Sequence, residues 1–262
     1  MGLGTSAAVV IGSFPLGESD RVVTFFSREF GRVRGVAKAA RRIRSRFGGA
    51  LELFTLGTLL FFDTGRSELV RIDHFDVTHP FARLRESLET LGEAAWVVEV
   101  VGRTTGERDR QPALYGLLVR ALRAMEASAR PARVSVCFGV RALDVLGHRP
   151  RLDRCGECGR AYPFARPALG DGGVVCEPCR IHGRPSGFGV DAVPVAPATV
   201  AAFVRLQGLR WEEAIASPVG RAGPELRAVL DTHLSRLIGQ PTRSGRFLRE
   251  VRRLEETSGE RA

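Results

Sequence analysis

The chain has 262 residues, 44% of them hydrophobic and 26% charged. That composition excludes a disordered or collagen-like polymer, and the length suits two moderate domains with a small insert. Thirty-nine basic residues against 29 acidic ones give a net charge of +10 and point to a polyanionic partner, although Lys38 is the only lysine and a GC-rich genome produces the same arginine bias.

The apolar run after Met1, GLGTSAAVVIGSF, lacks a basic leader and meets charge by Glu18. It is too short for a signal peptide or a membrane span, so a cytoplasmic protein without membrane contact is expected. From Ala7 to about His79 come five β-rich runs, AAVVI, RVVTFF, GRVRGVA, LFTLGTLLFF and ELVRIDHFDV, punctuated by Pro15, Gly17, Gly31, Gly48, Gly49 and Gly65. Five strands in so short a stretch fit a small closed barrel of the OB-fold kind.

After Pro80 the hydrophobic period becomes helical. Phe81, Leu84, Leu88, Leu91, Ala95 and Val98 form one stripe, and Leu114, Leu117, Leu118, Ala121, Leu122 and Met125 form the next. A third helix is expected from about Ala132 to Leu146, ending at Gly147, with Pro112 and Pro131 at helix starts. The Cys155 to Cys179 segment is too poor in large apolar residues to bury a core of its own. Helical patterns return at about Pro197 to Leu209, Pro224 to Ile238 and Ser244 to Glu256, so this segment reads as an insertion between two parts of a helical domain.

The pattern Cys155-Gly-Glu-Cys158, seventeen residues, Cys176-Glu-Pro-Cys179 has zinc-ribbon spacing, with Gly159 and Pro178 suited to the tight turns. Four thiolates complete a tetrahedron and leave no place for a catalytic water, so one structural Zn2+ is expected. A redox dithiol or an iron–sulfur cluster fits less well, since no thioredoxin-like βαβ context surrounds either pair. His182 is read as a surface residue rather than a ligand, and Cys137 as a buried apolar residue on a helical face.

The run from Arg28 to Arg46 holds Arg28, Arg32, Arg34, Lys38, Arg41, Arg42, Arg44 and Arg46 against Glu29 alone, seven of the chain's ten net positive charges. Arg32 and Arg34 alternate along a strand and share a face, while ARRIRSR reads as a connecting loop. Together they make a basic track of the kind that releases counterions from a phosphate backbone. Phe14, Phe25, Phe26, Phe30 and Phe47 are candidates for base stacking, most of them expected in the core.

No nucleophile elbow, phosphate loop or His-Glu-x-x-His helix occurs, and Glu18 with Asp20 reads as a turn rather than a metal pair, so no enzyme is expected. Two other classes compete. A zinc-dependent nucleic-acid enzyme needs an open zinc and a partnered Glu, and a transcription factor needs sequence-specific readout by the ribbon.

The N-terminal segment VVIGSFPLGESDRVVTFFSREFGRVRGVAKAARRIRSRFGGALELFT resembles the opening of the RecO family of bacterial recombination mediators, in its Gly-Glu-Ser-Asp turn, Gly-Arg-Val strand and Arg-Arg-x-x-Ser-Arg loop. GHRPRLDRCGECGR, GGVVCEPC and SGRFLRE continue the resemblance across nearly the whole chain. Ala39 departs from it, standing where relatives often have Gly, and arginine replaces most lysines. The resemblance implies an α+β protein: an N-terminal five-stranded OB-fold barrel for DNA at 1–80, a helical domain at 81–150 and 191–262, and the zinc ribbon inserted at 151–190. It further implies binding of single- and double-stranded DNA, strand annealing, and work with RecR to load RecA onto DNA coated by single-strand binding protein, whose acidic C-terminal tail it docks. Such a protein works in the cytoplasm, at the nucleoid during repair.

Overall fold

The structure is a computed structural model that describes residues 2–65, 67–182 and 192–259. The described residues group into two compact units, one running to Pro131 and joined by those from Glu250 onward, the other spanning Ala132–Arg249. Among the described residues no helix is long and apolar enough to cross a membrane.

The first unit is built on β1 (Gly2–Leu16), β2 (Asp20–Ser27), β3 (Gly31–Ala37), β4 (Leu56–Asp63) and β5 (Val70–His79). They close into a barrel in the order β1-β2-β3-β5-β4, every pair antiparallel except β3 with β5, which touch through Gly35 and Val36 alone. The five expected strands are all present. β1 is longer than its apolar centre indicated, because it serves two neighbours: Gly2–Val9 pair with β4 and Ala8–Leu16 with β2. An irregularity between Val10 and Gly12 bends the strand between these roles, the usual device for closing a small barrel.

Alternation places Val33 and Ala37 of β3 inside and Arg32 and Arg34 outside. The interior is filled by residues such as Val10, Val23, Leu59 and Ile72, with the rings of Phe25 and Phe75 5.1 Å apart. Phe26, on the opposite face of β2, is also fully buried, its ring 6.3 Å from Tyr115 of α2 (Pro112–Glu126). Both phenylalanines are therefore structural.

A 3-10 turn at Ala82–Arg85 precedes α1 (Leu88–Thr104), which starts where the Ser87 hydroxyl accepts from the Thr90 N–H. That start corrects the first helical stripe. Leu88 lies 60% exposed in the first turn, while Trp96, Val97, Val100 and Val101 carry the burial. α2 begins at Pro112 as expected.

In the second unit α3 (Pro131–Val145) is followed by Gly147 at φ 81, the expected left-handed stop. Two short strands, β6 (Pro167–Gly170) and β7 (Gly173–Cys176), form a buried hairpin, with α4 (Glu177–His182) after it and β8 (Val193–Pro194) alongside β6. The helices α5 (Pro197–Gly208) and α7 (Ala222–Ile238) match the expected patterns, as does α8 (Arg243–Gly259), whose residues from Glu250 group with the first unit, and a short α6 (Trp211–Ala216) was not anticipated. Residues 183–190, the end of the span expected for the insertion, lie outside the described residues.

Candidate metal centre and nucleic-acid interface

The two Cys-x-x-Cys pairs meet because each is held by its own turn. At the first, Gly159 takes φ 73 and its N–H donates to the Cys155 carbonyl at 3.0 Å, while the Cys155 N–H donates to the Arg160 carbonyl at 2.8 Å. The Gly156 N–H joins this turn to the hairpin through the Val174 carbonyl at 2.9 Å. At the second, Cys176 ends β7 and Cys179 follows three residues later in the first turn of α4.

All four sulfurs lie within 4.8 Å of one another, with Cys158 and Cys176 3.8 Å apart. Burial opposes ionisation of Cys155, but backbone N–H groups, including those of Cys158 and Cys176, aim at its sulfur and bring the thiol down to about 7. Such donors favour a thiolate at Cys155, the form that binds a metal, while burial raises Cys176 and Cys179. The four cysteines are thus positioned to hold a metal ion, and among the described residues no other His, Cys, Asp or Glu cluster is. His182 lies exposed at the end of α4 and outside the cluster. Cys137 is buried on α3, its thiol 3.4 Å from the Ala214 carbonyl and pushed up to about 11 by burial.

The hairpin tip is held to α7. Asp171 accepts from Arg236 at 2.8 Å and lies 3.8 Å from the buried His233, whose pKa burial lowers.

The basic run divides into two groups. Arg32 and Arg34 point outward from β3, as expected, but the last turn of α1 and the connector after it engage them: Arg32 donates to the Gly102 carbonyl, and Arg34 pairs with Glu107 at 3.2 Å. The connector comes so close that a Cβ on Gly31, at φ 62, would sit 1.9 Å from the Asp109 carbonyl oxygen. Arg28 is exposed, 3.6 Å from Glu29, which also pairs with Arg110 at 2.9 Å.

Lys38, Arg41, Arg42, Arg44 and Arg46 form the exposed second group, on the loop after β3. The turn between β1 and β2 fixes this loop. The Arg41 N–H donates to the Ser19 carbonyl and its guanidinium to the Gly17 carbonyl at 2.8 Å, while the Ala39 N–H donates to Asp20 at 2.8 Å. Asp20 and Glu18 therefore belong to a turn, as expected; the Ala39 N–H, then the Ser19 hydroxyl, hold the Asp20 carboxyl below its ordinary range. Ala39 adopts φ 55, a left-handed conformation that favours glycine. At the loop's far end Arg46 lies over the Phe47 ring, 5.0 Å from its centre, and Phe47 is buried in the barrel core. The side chains of Arg42 and Arg44 make no hydrogen bond or ion pair among the described residues, although Asp20 feels the charges of Lys38 and Arg42.

Of the stacking candidates, Phe25, Phe26 and Phe47 are buried and Phe30 is half-buried against Phe61, leaving Phe14 at 47% exposure. Phe62, which the sequence reading passed over, is also partly exposed, with Arg71 over its ring at 4.7 Å. Its alternation with the buried Phe61 was the available signal.

Residues 1–81 match the family model for the N-terminal part of recombination protein O, and residues 85–246 match the model for its C-terminal part. Relatives described as DNA repair protein RecO include one from Anaeromyxobacter dehalogenans, 38% identical over 93% of this chain and 94% of its own length. Others come from Myxococcus xanthus, 35% identical over 93% and 96%, and from Geobacter sulfurreducens, 34% identical over 93% and 96%. The barrel with its basic loop, the four-cysteine centre and these matches over both parts of the chain place it in the recombination protein O (RecO) family.

Proposed function

We propose that the chain is a non-enzymatic recombination mediator that binds single- and double-stranded DNA along the barrel rim, anneals complementary strands and, with RecR, helps load RecA onto DNA coated with single-strand binding protein. The observation that carries this reading is the exposed loop from Lys38 to Arg46, basic throughout and tethered by backbone contacts that leave most guanidinium heads outward. Lys38, Arg41, Arg42, Arg44 and Arg46 neutralise phosphates in this reading, Arg28 contributes at the margin, and Arg32 and Arg34 orient the connector and add only to the general field. The relatives' description as DNA repair proteins supports the assignment to repair.

The metal in this reading is one structural Zn2+. Zinc–thiolate bonds of about 2.3 Å in a tetrahedron require sulfurs about 3.8 Å apart, the separation of Cys158 and Cys176. Bound there, zinc supplies cross-linking rather than a reactive water, because four thiolates leave no open position.

The acidic, aromatic-ended tail of the coat protein needs a basic rim around an apolar pocket. In the second unit a cavity of about 200 Å³ lined by Leu143, Leu237, His148, His233, Asp171 and Arg236 brings apolar and basic groups together, with Arg236 already paired with Asp171. The chain works in the cytoplasm, at the nucleoid during repair. Annealing of complementary strands pre-coated with single-strand binding protein, with and without RecR, tests the whole reading: failure to anneal in either condition would overturn it.

A further inference from the structure

Ile43 is the most exposed large apolar side chain among the described residues, at 105% of its reference exposure; the others range from 36% to 61%. A single half-exposed apolar residue is ordinary on a protein surface. A β-branched side chain with no protein contact, at the apex of a loop whose flanks are fixed, is not.

The Ser45 N–H donates to the Arg42 carbonyl at 2.9 Å, closing a turn with Ile43 and Arg44 at its two central positions. On one side Ala40 is buried in the barrel core and Arg41 is tied to Gly17 and Ser19; on the other, Phe47 is buried in the same core. The apex is therefore held out from the barrel between two anchors. Arg41 and Arg42 precede it, Arg44 and Arg46 follow, and no acid occurs between Phe30 and Leu51. A polyanion drawn to those guanidinium groups meets Ile43 at the centre of the contact.

We propose that Ile43 is an apolar wedge that inserts at a base step of bound duplex DNA and partly unstacks it. The inference rests on the DNA-binding reading and adds to it a residue that touches bases rather than phosphates. Charge complementarity selects nucleic acid, and the stacked interior of a duplex is the part of that partner that can bury an aliphatic side chain. Phosphate contacts position a protein without touching the bases, so the wedge has its own observable.

The test is the fluorescence of a duplex carrying 2-aminopurine, which brightens when its base unstacks, titrated with the full-length protein, with Ile43→Ala and with the size-conserving Ile43→Leu. The wild-type protein and Ile43→Leu should brighten the probe. Ile43→Ala should lose most of that signal while its affinity falls no more than about tenfold and the slope of log affinity against log salt stays unchanged. Tight binding of wild-type protein without brightening, or an Ile43→Ala signal equal to wild type, would overturn the wedge and leave phosphate binding standing. No binding to DNA by the wild type would overturn the DNA reading itself. Vesicles of anionic lipid form a separate arm: Ile43-dependent flotation with them, and no brightening of the probe, would replace the duplex by a membrane surface.

Discussion

The division of the arginines gives a prediction that can be counted. Arg42 and Arg44 point outward without an ion pair among the described residues, whereas Arg34 is neutralised by Glu107 at 3.2 Å. A phosphate contact contributes about 0.7 to the slope of log affinity against log salt for single strands and about 0.9 for duplex. Arg42→Gln with Arg44→Gln should therefore lower the slope by about 1.4 on single strands and about 1.8 on duplex. Extending the change to Arg41 and Arg46 should bring the single-strand loss to about 2.8, if their contacts with Gly17 and Phe47 leave both charges available. Arg34→Gln should leave the slope as it is and cost less than about 1 kcal/mol of stability, since it removes one partly exposed pair. Fluorescence anisotropy with labelled oligonucleotides of two unrelated sequences, across about 50–200 mM salt, reads all of these. Affinity should fall equally on both sequences, because phosphate contacts carry no base information. An unchanged slope for the Arg42 and Arg44 double variant, or an equal loss for Arg34→Gln, would refute the division.

Replacing Cys155 and Cys158 by Ser should abolish stoichiometric metal, measured by elemental analysis, while leaving DNA affinity within about threefold if the barrel binds alone; a variant that keeps its metal would refute the site. Ala39→Gly should raise stability by about 0.5–1 kcal/mol in urea denaturation, because Ala39 sits at φ 55 and glycine relieves more strain than it adds chain entropy. Asp20 has a lowered folded pKa, so its contribution to stability is complete above the ordinary carboxylate value of about 3.9 and disappears as pH falls through the folded value. The stability gap between wild type and Asp20→Asn should accordingly be constant from neutral pH to about 5 and close on further acidification; a gap that widens toward acid would reverse the sign.

The barrel strands were legible because their chemistry is local. Alternation in GRVRGVA and glycines at turns specify a strand whatever surrounds it, and β3 runs from Gly31 to Ala37 as read. Elements whose definition depends on partners were harder. A helical period continues through Ser87, so the sequence joined Leu84 to Leu88, and only the Ser87 cap separates the turn from α1. β6 and β7 have four residues each, too short for a period to register. The clustering of the four cysteines was legible, since they lie in two short motifs and the turn at Gly159 is specified by the same residues.

The basic track was legible as charge but not as a surface, and the reason lies in sequence distance. Gly102 and Glu107, which engage Arg32 and Arg34, come about seventy residues later, and nothing near β3 marks them as partners. Gly31 carried the one local sign, a position where only a missing side chain admits the Asp109 carbonyl. The loop escapes neutralisation for a different reason, because acids do lie near it. Glu52 pairs with Arg21 at 3.2 Å, and Asp20 accepts from the Ala39 N–H, so neither carboxylate forms an ion pair with the loop's guanidinium heads. A loop fixed by backbone donors and carbonyls keeps its conformation without side-chain ion pairs. Its side-chain charge is thereby left for an external partner, which is how a run of mutually repelling cations can be both ordered and uncompensated.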